Sequence, residues 1–530
     1  MKTRVLMYDF ARGRGYRRDF MRTMLDFMRK LGYNELLLHL EGAYVFDFLP
    51  GRFRPDLMTP EDAGDLVEQA KRRGIEVVPA TNIYYHTEHF MDREDLQDLR
   101  DGQIARGGQK QIDPTHPRVA AFFRAVVDQL ARDFRTTRVH IGGDEAVAGP
   151  AGFEEMCERY GEYVSGFCHE MVDRGLAPGI WGDVVYKNPG MLEGFPKQTV
   201  IYDWYYGGNR KDSLERFVKA GFETIACVSD NGWQAPFNYQ SSEFGPERIE
   251  AFLEEAREVR AAGGGITVWG LYYGTSFWAA LYPIARAALS LTGSLPSDEA
   301  ELDRKVHQVL FGEKQCPLVK LSRRIYECLY NHDEVTLRDF YTASCHLTFA
   351  TCVNASLRYL LVDGPQELPA SIREAVATTY AETRDLMLEW DDRDRFQRAC
   401  KVGFGAVLER LRFDGLALDL GSRGRALYHE VSLSQFTDTQ AALAKIGEVV
   451  GIVREMQACL RSLTGLLEIL VRDEGQSVRD REMVRARLKD LEGFVERLEE
   501  GVRSSVPLPS WTGLVRLRFP ESDPGYWLPE

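Results

Sequence analysis

Short apolar runs alternate with longer amphipathic ones along the first half of the chain, the pattern of repeated strand-helix units. The strand candidates are Arg4 to Asp9, Glu35 to Leu40, Glu76 to Pro79, Arg138 to Ile141, Pro178 to Trp181, Val200 to Trp204, Thr224 to Ser229 and Gly265 to Trp269. Helix-like segments lie between them: Tyr16 to Leu31, Pro60 to Arg73, Pro117 to Phe134, Phe153 to Arg174 and Pro246 to Ala262. Gly74 and Gly175 directly follow two of these, glycine being the residue that tolerates the left-handed backbone at a helix end. Eight units ending near Ser290 predict an α/β fold, a (β/α)8 TIM barrel over residues 1–292 with its chemistry on the loops after the strands. A doubly wound sheet would need fewer strands. Its nucleotide fingerprint is also missing, because Gly13-Arg14-Gly15 has no third glycine at the required offset.

After the loop Thr292 to Ser297 the strand-like runs almost vanish, and residues 297–506 read as a mostly α-helical C-terminal domain. Leu443, Ile446, Val450, Val453, Met456, Leu460, Leu463, Leu467 and Leu470 step by three or four and would line one helix face, a device repeated by Leu488, Leu491, Val495 and Leu498. A bundle packing its own core fits these stripes better than a dimerising coiled coil, since the pattern lasts few heptads; a homodimer stays open. Residues 507–530, rich in proline and tryptophan, read as an irregular tail.

At 530 residues the chain is too long for one ordinary core. With 44% hydrophobic and 28% charged residues it falls in neither the disordered nor the membrane class, and a net charge of -14 argues against nucleic acid as the main partner. The N-terminal apolar stretch is too short for an export signal, and no run approaches transmembrane length. Nine cysteines include no C-x-x-C pair and no metal-ligand spacing, which suits reduced thiols and a cytoplasmic setting. Nothing in the sequence calls for a cofactor.

The sharpest local signal is Val139-His140-Ile141-Gly142-Gly143-Asp144-Glu145-Ala146, where the fourth strand should end. The glycines allow a sharp turn, so both carboxylates can face one pocket instead of opposite faces of a strand. An adjacent pair is poorly placed to act as acid and nucleophile from opposite sides of a sugar, which needs carboxyls about 5 to 9.5 Å apart. A substrate that supplies its own nucleophile, the carbonyl oxygen of a 2-acetamido group, removes that difficulty. One carboxylate would then orient the acetamido N–H and offset its developing charge, while the other acts as general acid and then general base. The acid needs a pKa raised by its neighbour or by burial.

The order and context of these residues resemble glycoside hydrolase family 20, the β-N-acetylhexosaminidases, whose signature is a His-x-Gly-Gly-Asp-Glu run at the end of strand four. The resemblance covers about the first 290 residues, and a barrel that begins at once and is followed by helices is similar to one bacterial branch. It implies an exo-acting glycosidase for terminal β-linked GlcNAc or GalNAc on glycans, working through a retaining, substrate-assisted mechanism, with Glu145 as proton donor and Asp144 steering the acetamido group. Tyr8-Asp9-Phe10-Ala11-Arg12 resembles the family's strand-one motif, which gives Arg12 the ring hydroxyls of the sugar. Gly74 to Pro79 followed by His86 is similar to the strand-three region that supplies a histidine near the acid. Trp181, Trp204 and Trp269 stand where the family places aromatic walls, and His140 belongs to the signature itself. Tyr239 and Tyr206 are the candidates for the tyrosine on the acetamido oxygen.

Two positions depart from the family. Gly270-Leu271-Tyr272-Tyr273 stands where an acidic residue usually follows the strand-eight tryptophan, and Glu41 is followed by Gly42 where an aspartate is common. Other assignments compete residue by residue. His86, Glu88 and His89 lack the i, i+4 spacing of a helical metal pair, so no metal is expected. His140 suits a buried polar contact better than proton transfer, and Arg12 could instead pair with Asp9. The alternatives at the level of function are a catalytically silent sugar-binding barrel and a glycosidase for another 2-acetamido sugar.

Overall fold

The computed structural model describes residues 1–11, 14–49, 56–91, 93–102, 111–148, 150, 152–206, 210–230, 246–269, 276–313, 317–322, 324, 370–391, 393–434, 438–475 and 478–503. Eight parallel strands close into a barrel in sequence order: β1 (Thr3–Asp9), β2 (Glu35–His39), β3 (Glu76–Ala80), β4 (Arg138–His140), β5 (Ala177–Trp181), β6 (Val200–Trp204), β7 (Glu223–Ser229) and β8 (Gly263–Val268). Each expected strand is present, shifted by at most two residues at an end. Closure is made by β8 against β1, with Val5 opposite Gly265. A Cβ on Gly265 would fall 2.5 Å from the Val5 carbonyl oxygen, so only glycine lets these strands meet there.

Side chains two apart on a strand share a face, and the burial follows that rule. Val5, Met7, Leu37, Val78, Ala80, Trp181, Val200, Tyr202, Ile225 and Cys227 fill the barrel interior. The alternate residues, such as Leu6, Leu36, Leu38, Ile180 and Ile201, pack outward in the layer that includes the surrounding helices. Low in the interior, Arg138 donates to Glu35 (2.5 Å), whose other oxygen accepts from the Tyr202 hydroxyl (2.8 Å). The inward positions at the opposite, C-terminal ends of the strands are therefore the ones free to build a site.

The helices expected between strands are present, with one change. The segment from 153 to 173 holds two α-helical stretches, Phe153–Tyr160 and Gly166–Asp173, joined by a π turn at Gly161–Ser165. Gly74 and Gly175 have φ of 70° and 80°, as their place after a helix requires.

Beyond the barrel the described residues form helices, including Glu299–Phe311, Ala370–Glu389, Arg395–Asp419, Arg425–Ser434, Thr439–Asp473 and Val478–Arg503. The long helix Thr439–Asp473 packs against Arg395–Asp419 and Val478–Arg503. Its buried row runs from Ile446 to Leu470 as expected. Leu443 corrects that expectation: it is 47% exposed, because one turn back from Ile446 the 3.6-residue period reaches Ala442, which is buried. Leu491 and Leu498 are buried, and Leu488 and Val495 pack beside them. The tail at 507–530 lies outside the described residues. Among the described residues no helix is long and apolar enough to cross a membrane.

The helical region docks on the seam where β1 and β8 meet. The end of the long helix carries Glu474 and Gly475, and Glu474 is buried. The Ser276 hydroxyl and the Phe277 N–H (3.2 Å) both donate to the Glu474 carboxylate. Gly15 N–H donates to the Gly475 carbonyl (2.6 Å), and Arg17 donates to the carbonyls of Arg472 (3.1 Å) and Val471 (3.2 Å), satisfying orphan groups of the helix C-terminus. The loop after the first strand and the segment after the eighth thus share one anchor. Glu474→Ala should lower the unfolding free energy by about 2–3 kcal/mol, the scale of charge-assisted hydrogen bonds lost from a buried site. Urea unfolding reads this directly, and an unchanged midpoint would show that the seam is held without Glu474.

Candidate active site

The site begins where β4 ends. His140 is the last inward residue of that strand and is 1% exposed, its ring 4.5 Å from that of Trp181 and 4.8 Å from that of Tyr202. Burial, with the nearby His39 and Arg138 charges adding, pushes His140 well below the usual histidine range, so it is neutral. Its Nδ1 accepts the Gly142 N–H (3.1 Å) and helps start the turn. Gly142 and Gly143 then take φ of 71° and 90°. A Cβ would fall 1.6 Å from Asn82 Oδ1 at the first and 2.5 Å from the Tyr160 hydroxyl at the second. Glycine is required at both on conformation and on space.

The turn gives the two carboxylates different surroundings. Asp144 is buried, and its Oδ1 meets no hydrogen-bond donor among the described residues. Burial raises its pKa to about 7; His86 opposes the shift, while Glu145 and Asp183 add to it. The Glu145 side chain is 53% exposed, and its Oε2 stands 2.9 Å from His86 Nε2. Glu145 has a φ of 54°, a left-handed value that costs a residue with a side chain roughly 1–2 kcal/mol. Its N–H donates to Asp183 Oδ2 (3.1 Å). Of the two causes expected to raise the proton donor's pKa, burial falls on its neighbour instead, because the turn directs Asp144 inward and Glu145 toward the opening.

His86, expected near the acid, is there and has a φ of 58°. His86, Asp144 and Glu145 each offer one ligand atom within 4.8 Å of the others, the one such group among the described residues. Three ligands of this type could hold a divalent ion, and His86 Nε2 and Glu145 Oε2 also stand at hydrogen-bond distance from each other. The side chains of Glu88 and His89 lie outside the described residues.

Trp181, Trp204 and Trp269 meet at the barrel mouth from β5, β6 and the end of β8. Trp181 is buried with its ring 5.8 Å from that of Trp269. The Trp269 indole N–H donates to the Tyr206 hydroxyl (2.9 Å), and the Tyr206 ring lies 5.0 Å from that of Trp204, tilted by 37°. The structure thus places Tyr206 in the aromatic wall, whereas Tyr239, Arg12 and Gly270 to Tyr273 lie outside the described residues. Asp9 accepts from the Ala11 N–H (2.9 Å) and stands 3.0 Å from His39 Nδ1.

Sequence reasoning missed a charged network under this wall. His39, on β2, is flanked by Asp9 Oδ1 and by Glu41 Oε1, each at 3.0 Å, and Asn82 donates to Glu41 Oε1 at 2.5 Å. The His39 ring stands 5.7 Å from that of Trp269. Burial opposes charge on His39, but Glu41 and Asp9 overcome it and raise its pKa to about 9. Asp183 was missed as well: it is 3% exposed, and Trp204 Nε1 donates to its Oδ1 (3.3 Å). The available signal for His39 was parity, since it shares the face of Leu37, whereas Asp183 lies past the end of β5 at the start of a helix, where strand alternation no longer applies.

Parts of this chain are similar to known proteins. Residues 2–244 match the catalytic-domain model of glycosyl hydrolase family 20. The lacto-N-biosidase of Bifidobacterium bifidum is 23% identical over 232 residues, 41% of this chain and 20% of that protein. The beta-hexosaminidase of Akkermansia muciniphila is 25% identical over 196 residues, 33% of this chain and 38% of that protein. The match thus spans well under half the length of either relative. The solved β-N-acetylhexosaminidase from Bacteroides fragilis NCTC 9343 superposes with a TM-score of 0.48 at 19% identity, covering 58% of this chain and 70% of that one.

The His39 network carries a pH signature. A histidine whose pKa rises from 6.5 unfolded to about 9 folded contributes stability that is complete below pH 6.5 and is lost as pH climbs through 9. Wild-type stability should therefore decline between those values, and His39→Gln, less stable throughout, should decline less over the same window. Equal slopes in denaturant titrations across that range would show that His39 is uncharged in the folded protein.

Proposed function

Residues 2–244 belong to glycosyl hydrolase family 20, and on that premise we propose that the chain is an exo-β-N-acetylhexosaminidase releasing terminal β-linked GlcNAc, GalNAc or both with retention of configuration. The observation that carries this is the adjacent pair: one oxygen of Asp144 lies within 4.8 Å of one of Glu145, and the two acids differ sharply in burial. Neighbours on one turn are poorly placed to flank a sugar ring from opposite faces, as an acid and an enzyme nucleophile must. The pair suits a ligand that brings its own nucleophile.

In this reading Glu145 protonates the glycosidic oxygen as the bond to the anomeric carbon breaks. The acetamido carbonyl oxygen of the same sugar attacks that carbon and closes an oxazolinium ring. Asp144 accepts the acetamido N–H and offsets the positive charge that grows on it. The Glu145 carboxylate then takes a proton from water, whose oxygen opens the ring at the anomeric carbon. The raised pKa of Asp144 fits a pair sharing one proton before the ligand arrives. A donor N–H at Asp144 favours its ionised form and leaves the proton on Glu145, where it is needed. Trp181, Trp204 and Trp269 supply flat apolar faces for the acetamido methyl and the ring, with Tyr206 beside Trp204 and Trp269, and Tyr206 and Tyr239 stay the two candidates for the acetamido oxygen. Arg12 is assigned the ring hydroxyls on the family motif. A cytoplasmic setting is supported by Cys157, Cys168, Cys227 and Cys459, buried cysteines that form no disulfide among the described residues.

Release of p-nitrophenol from its β-GlcNAc and β-GalNAc glycosides tests turnover and sugar preference together. Sugar binding without release from either would mark a silent barrel, and product analysis on a glycan panel would expose another 2-acetamido sugar. Glu145→Gln keeps the shape but removes the transferable proton, so it should lose hydrolysis of poor leaving groups by roughly 100- to 10,000-fold while still binding sugar. Near-normal turnover in that protein would take the acid role from Glu145. Asp144→Asn should lower activity and weaken inhibition by a thiazoline mimic of the ring intermediate; unchanged inhibition would remove Asp144 from its role. Activity should survive exhaustive chelation.

A further inference from the structure

We infer that Asp183 is a positioning residue that ties the backbone of the proton donor to the aromatic wall of the sugar pocket, so that acid and wall move as one unit. The inference rests on the reading of Glu145 as the acid. Asp183 lies two residues beyond Trp181, at the start of the short helix Asp183–Lys187, and is 3% exposed. Each of its oxygens has a different task. Oδ2 accepts the Glu145 N–H at 3.1 Å, and Oδ1 accepts the Trp204 indole N–H at 3.3 Å. Lys187, one turn on and more than half exposed, stands 3.8 Å from Oδ2.

A purely structural origin for this arrangement is uneconomical. Both donors are neutral N–H groups that an asparagine, a serine or a carbonyl could serve in part, whereas a buried carboxylate carries a desolvation cost that a cation 3.8 Å away offsets weakly. Burial accordingly raises the Asp183 pKa. What a carboxylate does that its substitutes do not is accept from both donors at once on two equivalent oxygens, and place a negative charge beside Asp144 and Glu145.

The geometry shows why both donors matter. Glu145 holds a left-handed φ of 54°, and the Asp183 bond fixes its N–H while its side chain reaches His86 on the other side. Releasing the N–H would let the residue relax and swing its carboxyl away from the leaving-group oxygen. On the other arm, the pinned Trp204 indole lies against Tyr206, whose hydroxyl accepts from Trp269. One carboxylate therefore links the acid to two of the three tryptophans.

The test uses the full chain and two aryl β-N-acetylglucosaminides, one with an activated and one with a poor leaving group. Asp183→Asn keeps shape but leaves one of the two N–H donors facing an amide N–H. We expect kcat on the poor leaving group to fall about 10- to 100-fold, the scale set by a misplaced catalytic group. The fall on the activated one should be markedly smaller, and the alkaline limb of kcat/KM should move to lower pH as the charge is removed. Trp204→Phe removes the indole N–H from the other end and checks the link independently of whether the first variant folds. If acid and wall are tied, it too increases the difference between the two substrates; a wall acting alone raises KM equally for both. Unmoved leaving-group dependence and pH profile in the two variants, whatever their melting temperatures, would overturn the inference. Failure of the parent reading appears separately, as turnover retained by Glu145→Gln.

Discussion

The site depends on a backbone constraint: three of the four residues from Gly142 to Glu145 have positive φ. In a continuing strand, Asp144 and Glu145 would project to opposite faces of the sheet, one into the barrel and one toward the helices. The left-handed turn removes that alternation and delivers both to the mouth, one inward and one toward solvent. Its surroundings leave no room for another arrangement. Asn82 fills the place of a side chain at Gly142, Tyr160 fills it at Gly143, and His140 takes the first N–H of the turn. The chemical difference between two adjacent acids is thus a consequence of packing beneath them.

That packing is itself polar, which explains the charged residues in the upper barrel. The low interior carries a satisfied ion pair, Arg138 with Glu35, and needs no ligand. Higher up, His39 lies between Asp9 and Glu41 and gives the floor of the mouth a positive centre among carboxylates. The neutral His140 lies close enough for that charge to depress its basicity. Two buried histidines on inward positions are therefore held in opposite protonation states, His140 neutral chiefly through burial and His39 charged through Glu41 and Asp9. The helical region completes the frame from outside, through Glu474 and Gly475 at the seam between the first and last strands.

Much of this was legible in the chain. Alternating apolar runs reveal the strands, because each strand buries both faces and each helix one, and the Gly-Gly before two acids marks the turn. The three tryptophans are legible too, since each falls at the C-terminal end of a strand, where the inward position opens to the mouth. The network of Asp9, His39, Glu41 and Asn82 was not, because it joins three strand ends whose neighbours are set by barrel closure and register. Asp183 was not legible either, because it lies past the end of β5 and its partners, a backbone N–H and an indole, leave no trace in composition. The docking of the helices was out of reach for a simpler reason: Arg17 and Arg472 are 455 residues apart and meet through backbone carbonyls, which every residue has. Leu443 shows the reverse error, an apolar residue fitted to a stripe whose true row runs through Ala442.

The central claim is that the ligand supplies the nucleophile and the protein supplies the proton and the field around it. It is tested most directly by aryl glycosides that differ only in fluorination of the N-acetyl methyl group. Fluorine withdraws electron density from the acetamido oxygen without touching the leaving group or the acid, so kcat/KM should fall steeply from acetyl through mono- and difluoroacetyl to trifluoroacetyl. A flat series, with turnover indifferent to the nucleophilicity of that oxygen, would contradict the account.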